Sequence, residues 1–182
     1  MRYRHALFAL LLLPAAAFAQ SDADRAAIAE LAGRFETVTR NADMAGSLQM
    51  LPPTLIDSIA AQLNITREEY LGHMIQAAEQ TAALIQVREV EIDMEAMDWH
   101  EAPDGTPYAL IPTRSVVEVR EAPGAADVTV LEEDSRTLAL KDGGEWHLVR
   151  LGSDKQQDSV RMAFPNLHAE DFPLPQMKEL AQ

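Results

Sequence analysis

The sequence predicts an α+β domain in which N-terminal helices pack on a mainly antiparallel sheet, and two observations carry that prediction. Apolar residues recur at three- and four-residue spacing as far as about Ala83; from Val90 onward they alternate with charged residues at a period of two. Turn signals then separate a succession of strand-like runs, with no helical stretch until Ser153. A run of helices followed by a run of antiparallel strands is a layer pair, its helical stripe buried on the apolar sheet face.

Composition bounds the function. The chain has 182 residues, 47% of them apolar, 15 Lys+Arg against 29 Asp+Glu, and a net charge of −14. That apolar content excludes a largely disordered chain. The absence of cysteine excludes a disulfide scaffold, a thiolate metal site and a cysteine nucleophile. The charge argues against nucleic acid and anionic membrane as partners, since phosphates repel such a surface. Met1 to Ala19 has the layout of a secretory signal peptide. Arg2 and Arg4 precede an apolar run, and Ala17-Phe18-Ala19 is a small-x-small cleavage site. The apolar run is about half what a membrane span needs. The expectation is therefore a periplasmic protein, Gln20 to Gln182, folded as one domain with no membrane anchor after cleavage after Ala19. The sequon Asn64-Ile65-Thr66 reads as a helix boundary.

Each element has its own signal. Ser21 and Asp24 form a capping-box-like start, and Ile28, Leu31, Phe35 and Val38 make one apolar stripe through to Arg40. Asp43 caps a short helix over Met44 to Met50. Pro53 opens the next helix, Thr54 to Leu63, and Asn64 is a left-handed stop. Thr66 and Glu69 are a capping box with Ile65 and Tyr70 at the staple positions, so a helix runs from Arg67 to about Ala83. Val90, Ile92, Met94 and Ala96 then alternate with Glu89, Glu91, Asp93 and Glu95 in a strand with one acidic face. A second strand covers Tyr108 to Arg120, with Pro112 marking an edge or a bulge. Val128 to Leu131 and Arg136 to Leu140 form a third, interrupted at Glu132-Glu133-Asp134. Asp142-Gly143-Gly144 turns into a fourth, Trp146 to Leu151. Ser153 and Gln156 start a last helix that stops before Pro165, and the tail through Phe172-Pro173-Leu174-Pro175 is extended along the domain.

The N-terminal helices, a meander of long strands and the segment Asp142-Gly143-Gly144-Glu145-Trp146-His147-Leu148-Val149 together resemble the NTF2-like (cystatin-like roll) superfamily, whose closing hairpin reads in this way. In element order the resemblance covers most of the chain after Ala19; in residues it rests on that hairpin. The short strand or hairpin common between the early helices of that family is absent. The resemblance implies a curved sheet cupping a helix, a conical pocket between them, and frequent homodimers. It implies no single activity, since members include isomerases, dehydratases, cyclases, transport factors and binding modules.

Chemistry is sparse. No G-x-S-x-G, H-E-x-x-H, phosphate-binding glycine loop or EF-hand pattern is present. His73, His100, His147 and His168 stand at no mutual helix or strand spacing, and no cofactor is called for. Pocket enzymes of the resembled superfamily use an Asp or His base with Tyr or Asp donors in an apolar cavity. The candidates here are Asp57, Tyr70 and His73 on helices and Asp98, Trp99, His100 and Arg114 on strands, of which Trp99, His100 and Arg114 are also the ligand-binding candidates. Tyr70 is equally explained as a staple residue and His73 as its exposed neighbour. Glu89, Glu91, Asp93 and Glu95 would project about 7 Å apart on one strand face. They are candidates for a hard-cation site or for docking a basic partner, against a solvated face paired with Arg88, Arg114, Arg120 or Arg136. Trp146 is read as core, its indole N–H requiring a partner. The resulting expectation is a non-catalytic, exported binding or accessory protein that takes a small apolar ligand in a pocket or docks a protein partner through its sheet, a homodimer among the options. The alternative is a pocket enzyme doing proton-transfer chemistry of the isomerase or dehydratase kind.

Overall fold

The computed structural model describes residues 16–168 and 172–181, and from residue 22 onward also the side chains. Met1 to Ala19, the segment expected to be a signal peptide, therefore lies outside the described residues except for the backbone of its last four. Four helices come first: α1 (Ala16–Arg40), α2 (Met44–Leu48), α3 (Pro53–Leu63) and α4 (Arg67–Thr81). The strands are β1 (Ile85–Ile92), β2 (Asp98–Glu101), β3 (Pro107–Val119), β4 (Thr129–Asp142) and β5 (Glu145–Arg150). Helix α5 (Asp154–Ala163) and strand β6 (Gln176–Glu179) close the chain. None of the described helices is long and apolar enough to cross a membrane.

Local signals set most of the boundaries. Asp43 accepts the Gly46 N–H at 2.8 Å and caps α2. Asn64 ends α3 in the left-handed region at φ 56°. Thr66 and Glu69 make the full reciprocal box, at 3.2 and 2.8 Å. Ser153 accepts the Gln156 N–H at the start of α5. Gly143 and Gly144 both take positive φ, 62° and 90°, which the two-residue hairpin turn between β4 and β5 demands. The start expected at Ser21 and Asp24 is not a helix end: α1 continues back to Ala16, and the Asp24 carboxylate is turned to the sheet.

All six strands form one curled antiparallel sheet with the long strands β3 and β4 at its centre. β1 and β2 occupy successive stretches of the outer edge of β3; β5 and β6 do the same along β4. Pro112 lies in a central strand, not at an edge. Its carbonyl accepts the Asp93 N–H, so its missing N–H falls on the side where β1 has ended and β2 has not begun. The interruption expected at Glu132-Glu133-Asp134 does not occur either. β4 runs straight through because cations meet its acids on both faces: Arg114 and Lys178 at Glu132, Arg150 at Glu133.

The acidic strand is also shorter than its alternation suggests. A bulge at Arg88 shifts the register, β1 ends at Ile92, and Asp93 turns its carboxylate onto the Glu95 and Ala96 N–H groups at 3.0 and 3.1 Å. Asp93 and Glu95 thus leave the face that Glu89 and Glu91 share.

Both sheet faces are covered. On one, Ile28, Ala32, Phe35 and Val38 of α1 pack against Val90, Ile92, Ala109, Ile111, Ala139, Trp146 and Leu148. On the other, Leu55 of α3, Val160 of α5 and Phe172 of the tail pack on Tyr108, Leu110, Leu138, Leu140 and Val149. The unbroken apolar runs Tyr108 to Ile111 and Leu138 to Leu140 reflect this double burial. On the α1 side of the sheet these apolar side chains give way to polar ones. Thr113 and Thr137 join hydroxyls at 2.7 Å, and Arg150 bridges Ser115 and Glu133, each at 2.8 Å.

Candidate functional site

The sheet face under α3 and α5 is apolar only over half its length. Beyond Leu110 and Leu138 it continues as an open groove floored by Pro112 and Arg136, which face each other across β3 and β4. Glu91 and the 93–98 segment form one wall, and Pro173, Leu174 and Gln176 of the tail form the other. The groove has two parts of about 450 and 620 Å3, which share Pro112, Arg136 and Pro173 at the waist.

Strand periodicity explains what faces this groove. Even-numbered residues of β3 and β4 point into it, and the bulge at Arg88 brings Glu89 and Glu91 onto the same face. Arg114 lies opposite Glu91 and Asp134 in register, yet its guanidinium is held elsewhere. It donates to Glu132 at 2.9 Å through Nε and reaches Glu89 at 3.2 Å. Glu132 also takes Lys178 at 2.8 Å; hydrogen bonds from Lys178 and Arg114 hold its carboxyl below the usual range. Arg88 and Arg120 serve Glu118 rather than the acids of residues 89–95, and lower its pKa. Arg136, by contrast, makes no side-chain hydrogen bond or ion pair among the described residues, and neither do Glu91 and Asp134. The groove carries an uncommitted guanidinium at its waist and uncommitted carboxylates on its walls.

Of the residues singled out from sequence, this groove gathers Glu91, Asp93, Glu95, Asp98, His100 and Arg114. His100 stacks on the buried Tyr108 ring at 5.0 Å, and its Nε2 lies 3.2 Å from Asp98. Trp99 belongs to the opposite face, edge-on to Trp146 at 5.7 Å. No three of His, Asp or Glu converge on a common point as metal ligands would, among the described residues. The helix-borne candidates lie outside the groove. Asp57 is exposed on α3 and paired with Arg67, whose hydrogen bond lowers the Asp57 pKa. His73 is exposed on α4, while Tyr70 is half-buried and burial pushes its phenol up. Sequence reasoning named Arg136 only as a countercharge and missed the wall from Pro173 to Gln176; both depend on strand register and on where the tail lies.

A second, more apolar groove of about 810 Å3 separates α4 from the corner of α1, α2 and β1, with Val38, Ile75, Ala78, Ile85 and Val87 in its lining. α4 buries none of its residues fully, although Tyr70, Leu71, Met74, Ile75 and Ala78 form a stripe. Asp57, Tyr70 and His73 line neither groove. Comparison with protein-family models, with curated proteins and with solved structures finds no match for this chain.

Proposed function

We propose that this is a non-catalytic binding protein of the NTF2-like type that docks an extended segment of a protein partner, basic overall, in the groove along its sheet. The curled sheet with α1 against it and the Gly143-Gly144 hairpin support the family reading. One observation carries the functional one: Glu91, Asp93 and Asp134 surround a groove in which, among the described residues, only Arg114, already neutralised by Glu89 and Glu132, and Arg136 are cationic. A field of this sign steers and orients a basic chain.

Fluorescence anisotropy with a labelled, blocked lysine-containing pentapeptide tests this. Binding should weaken steeply with salt and fall at least several-fold in the Glu91→Gln/Asp134→Asn double variant. Salt-independent binding, or none, contradicts it. The α4 groove favours a second reading, uptake of a small apolar ligand, because the half-covered stripe of α4 faces it. Export to the periplasm belongs to the same proposal: cleavage after Ala19 would remove only the first turn of α1. The intact mass of the protein recovered from its host checks it, and a full-length mass contradicts it.

A further inference from the structure

We infer that the groove is built for one charge pattern, a carboxylate flanked on both sides by cations in an extended segment, and that Arg136 is the residue that reads the carboxylate. The inference rests on the docking role proposed above and narrows it to a ligand class.

The argument is one of spacing. On the groove face, successive rows of the sheet are two residues apart, roughly 7 Å along the strands. The middle row is Asp93, Pro112 and Arg136; the Asp93 carboxylate is taken up by the Glu95 and Ala96 N–H groups, whereas Arg136 has no partner among the described residues. The row on one side is Glu91, Arg114 and Asp134; Arg114 is engaged by Glu132 and Glu89, so Glu91 and Asp134 leave this row negative. The row on the other side is Leu110 with Asp98 opposite it, at the end of the groove that Glu95 also lines. Along the floor the sign therefore runs negative, positive, negative. A peptide in extended conformation presents its own alternate side chains at the same spacing of about 7 Å. Residues i−2, i and i+2 of such a segment fall on the three rows in turn, and the complementary pattern is cation, carboxylate, cation. Pro112 and Pro173 flank the waist with apolar surface, which excludes water around the guanidinium and strengthens a charge-assisted hydrogen bond there. A uniformly basic segment places a cation over Arg136, and a uniformly acidic one meets the walls.

Two blocked, labelled pentapeptides test this, both with lysine at each end and valine at the second and fourth positions, one with glutamate and one with glutamine in the centre. Titrated by anisotropy at low salt, the glutamate peptide should bind the native protein about ten-fold more tightly. Arg136→Met should abolish that preference; Arg136→Lys should retain part of it. Thermal unfolding confirms that both variants are folded, and the conservative lysine keeps the test open if methionine disturbs the strand. Equal binding of the two peptides, or a preference that survives in a folded Arg136→Met, overturns the assignment while the docking role stands. Binding of neither peptide overturns both.

Discussion

Lys141 and Asp142 are neighbours at the end of β4, and each fastens a helix to an opposite face of the sheet. Lys141 Nζ lies 2.7 Å from the Asp24 carboxylate of α1, which also accepts the Trp146 indole N–H at 2.9 Å. Asp142 accepts the Thr54 N–H and hydroxyl of α3, both at 2.8 Å. It thereby caps a helix whose own N-cap, Pro52, offers no side-chain acceptor. Strand alternation is what sends two consecutive residues to two layers.

Removing either clasp should cost stability. Asp142→Ala leaves the start of α3 uncapped and should lower the unfolding free energy by about 1 kcal/mol. Asp24→Ala strands the Trp146 N–H and should cost about 1–3 kcal/mol. Urea unfolding of both singles and the double should show near-additive losses, since the two contacts lie on opposite faces. A double variant no weaker than either single contradicts the picture of two independent clasps.

Two helical glycines should respond with opposite signs. A Cβ on Gly72, in α4, meets nothing within 4 Å, so Gly72→Ala should stabilise by about 0.5–1 kcal/mol. A Cβ on Gly46 would fall 2.5 Å from the Asp43 carboxylate and 2.9 Å from Val38. Gly46→Ala should destabilise through loss of the α2 cap, although alanine is the better helix former. Thermal midpoints of the two variants decide it; a rise for Gly46→Ala shows that the cap is dispensable.

Acid should weaken the seam between β4 and β6. Lys178 and Arg114 lower the Glu132 pKa on folding. A carboxylate depressed in the folded state stabilises fully above the ordinary carboxylate range, and that contribution is lost as pH falls through the folded value. Glu118, held by Arg88 and Arg120, adds in the same direction. Glu132→Gln should therefore be less stable than native near pH 7, and the gap should close as pH falls towards about 3. Parallel stability curves across that interval contradict it.

Helix α4 should open before the rest. It packs on α3 and α2 and buries no residue fully, despite its complete capping box. Its amides should exchange hydrogen well ahead of those of α3, which buries Leu55, Ile56 and Ala60. Equal protection of the two helices would show that the neighbouring groove is closed in solution.

Local chemistry was legible and long-range pairing was not. The Thr66/Glu69 box, the Asp43 and Ser153 caps, the Asn64 stop and the two-glycine hairpin act over a few residues and could be read from spacing. Continuity through Glu132, Glu133 and Asp134 could not, because the countercharges Arg114, Arg150 and Lys178 arrive from three other strands. Asp24 looked like a helix-start acid because its partners lie more than a hundred residues away. For the site, Glu91, His100 and Arg114 were visible as chemistry, whereas their meeting around Arg136 depends on the bulge at Arg88 and on the placement of the tail.

Amide chemical-shift mapping during titration with the glutamate-centred peptide tests the central claim most directly. The account predicts shifts for Glu91 to His100, Arg114, Asp134 to Arg136 and Leu174 to Gln176, with α4 unmoved. Shifts confined to α4, Val38 and Ile85 to Val87 would place binding in the apolar groove and contradict the sheet groove as the docking site.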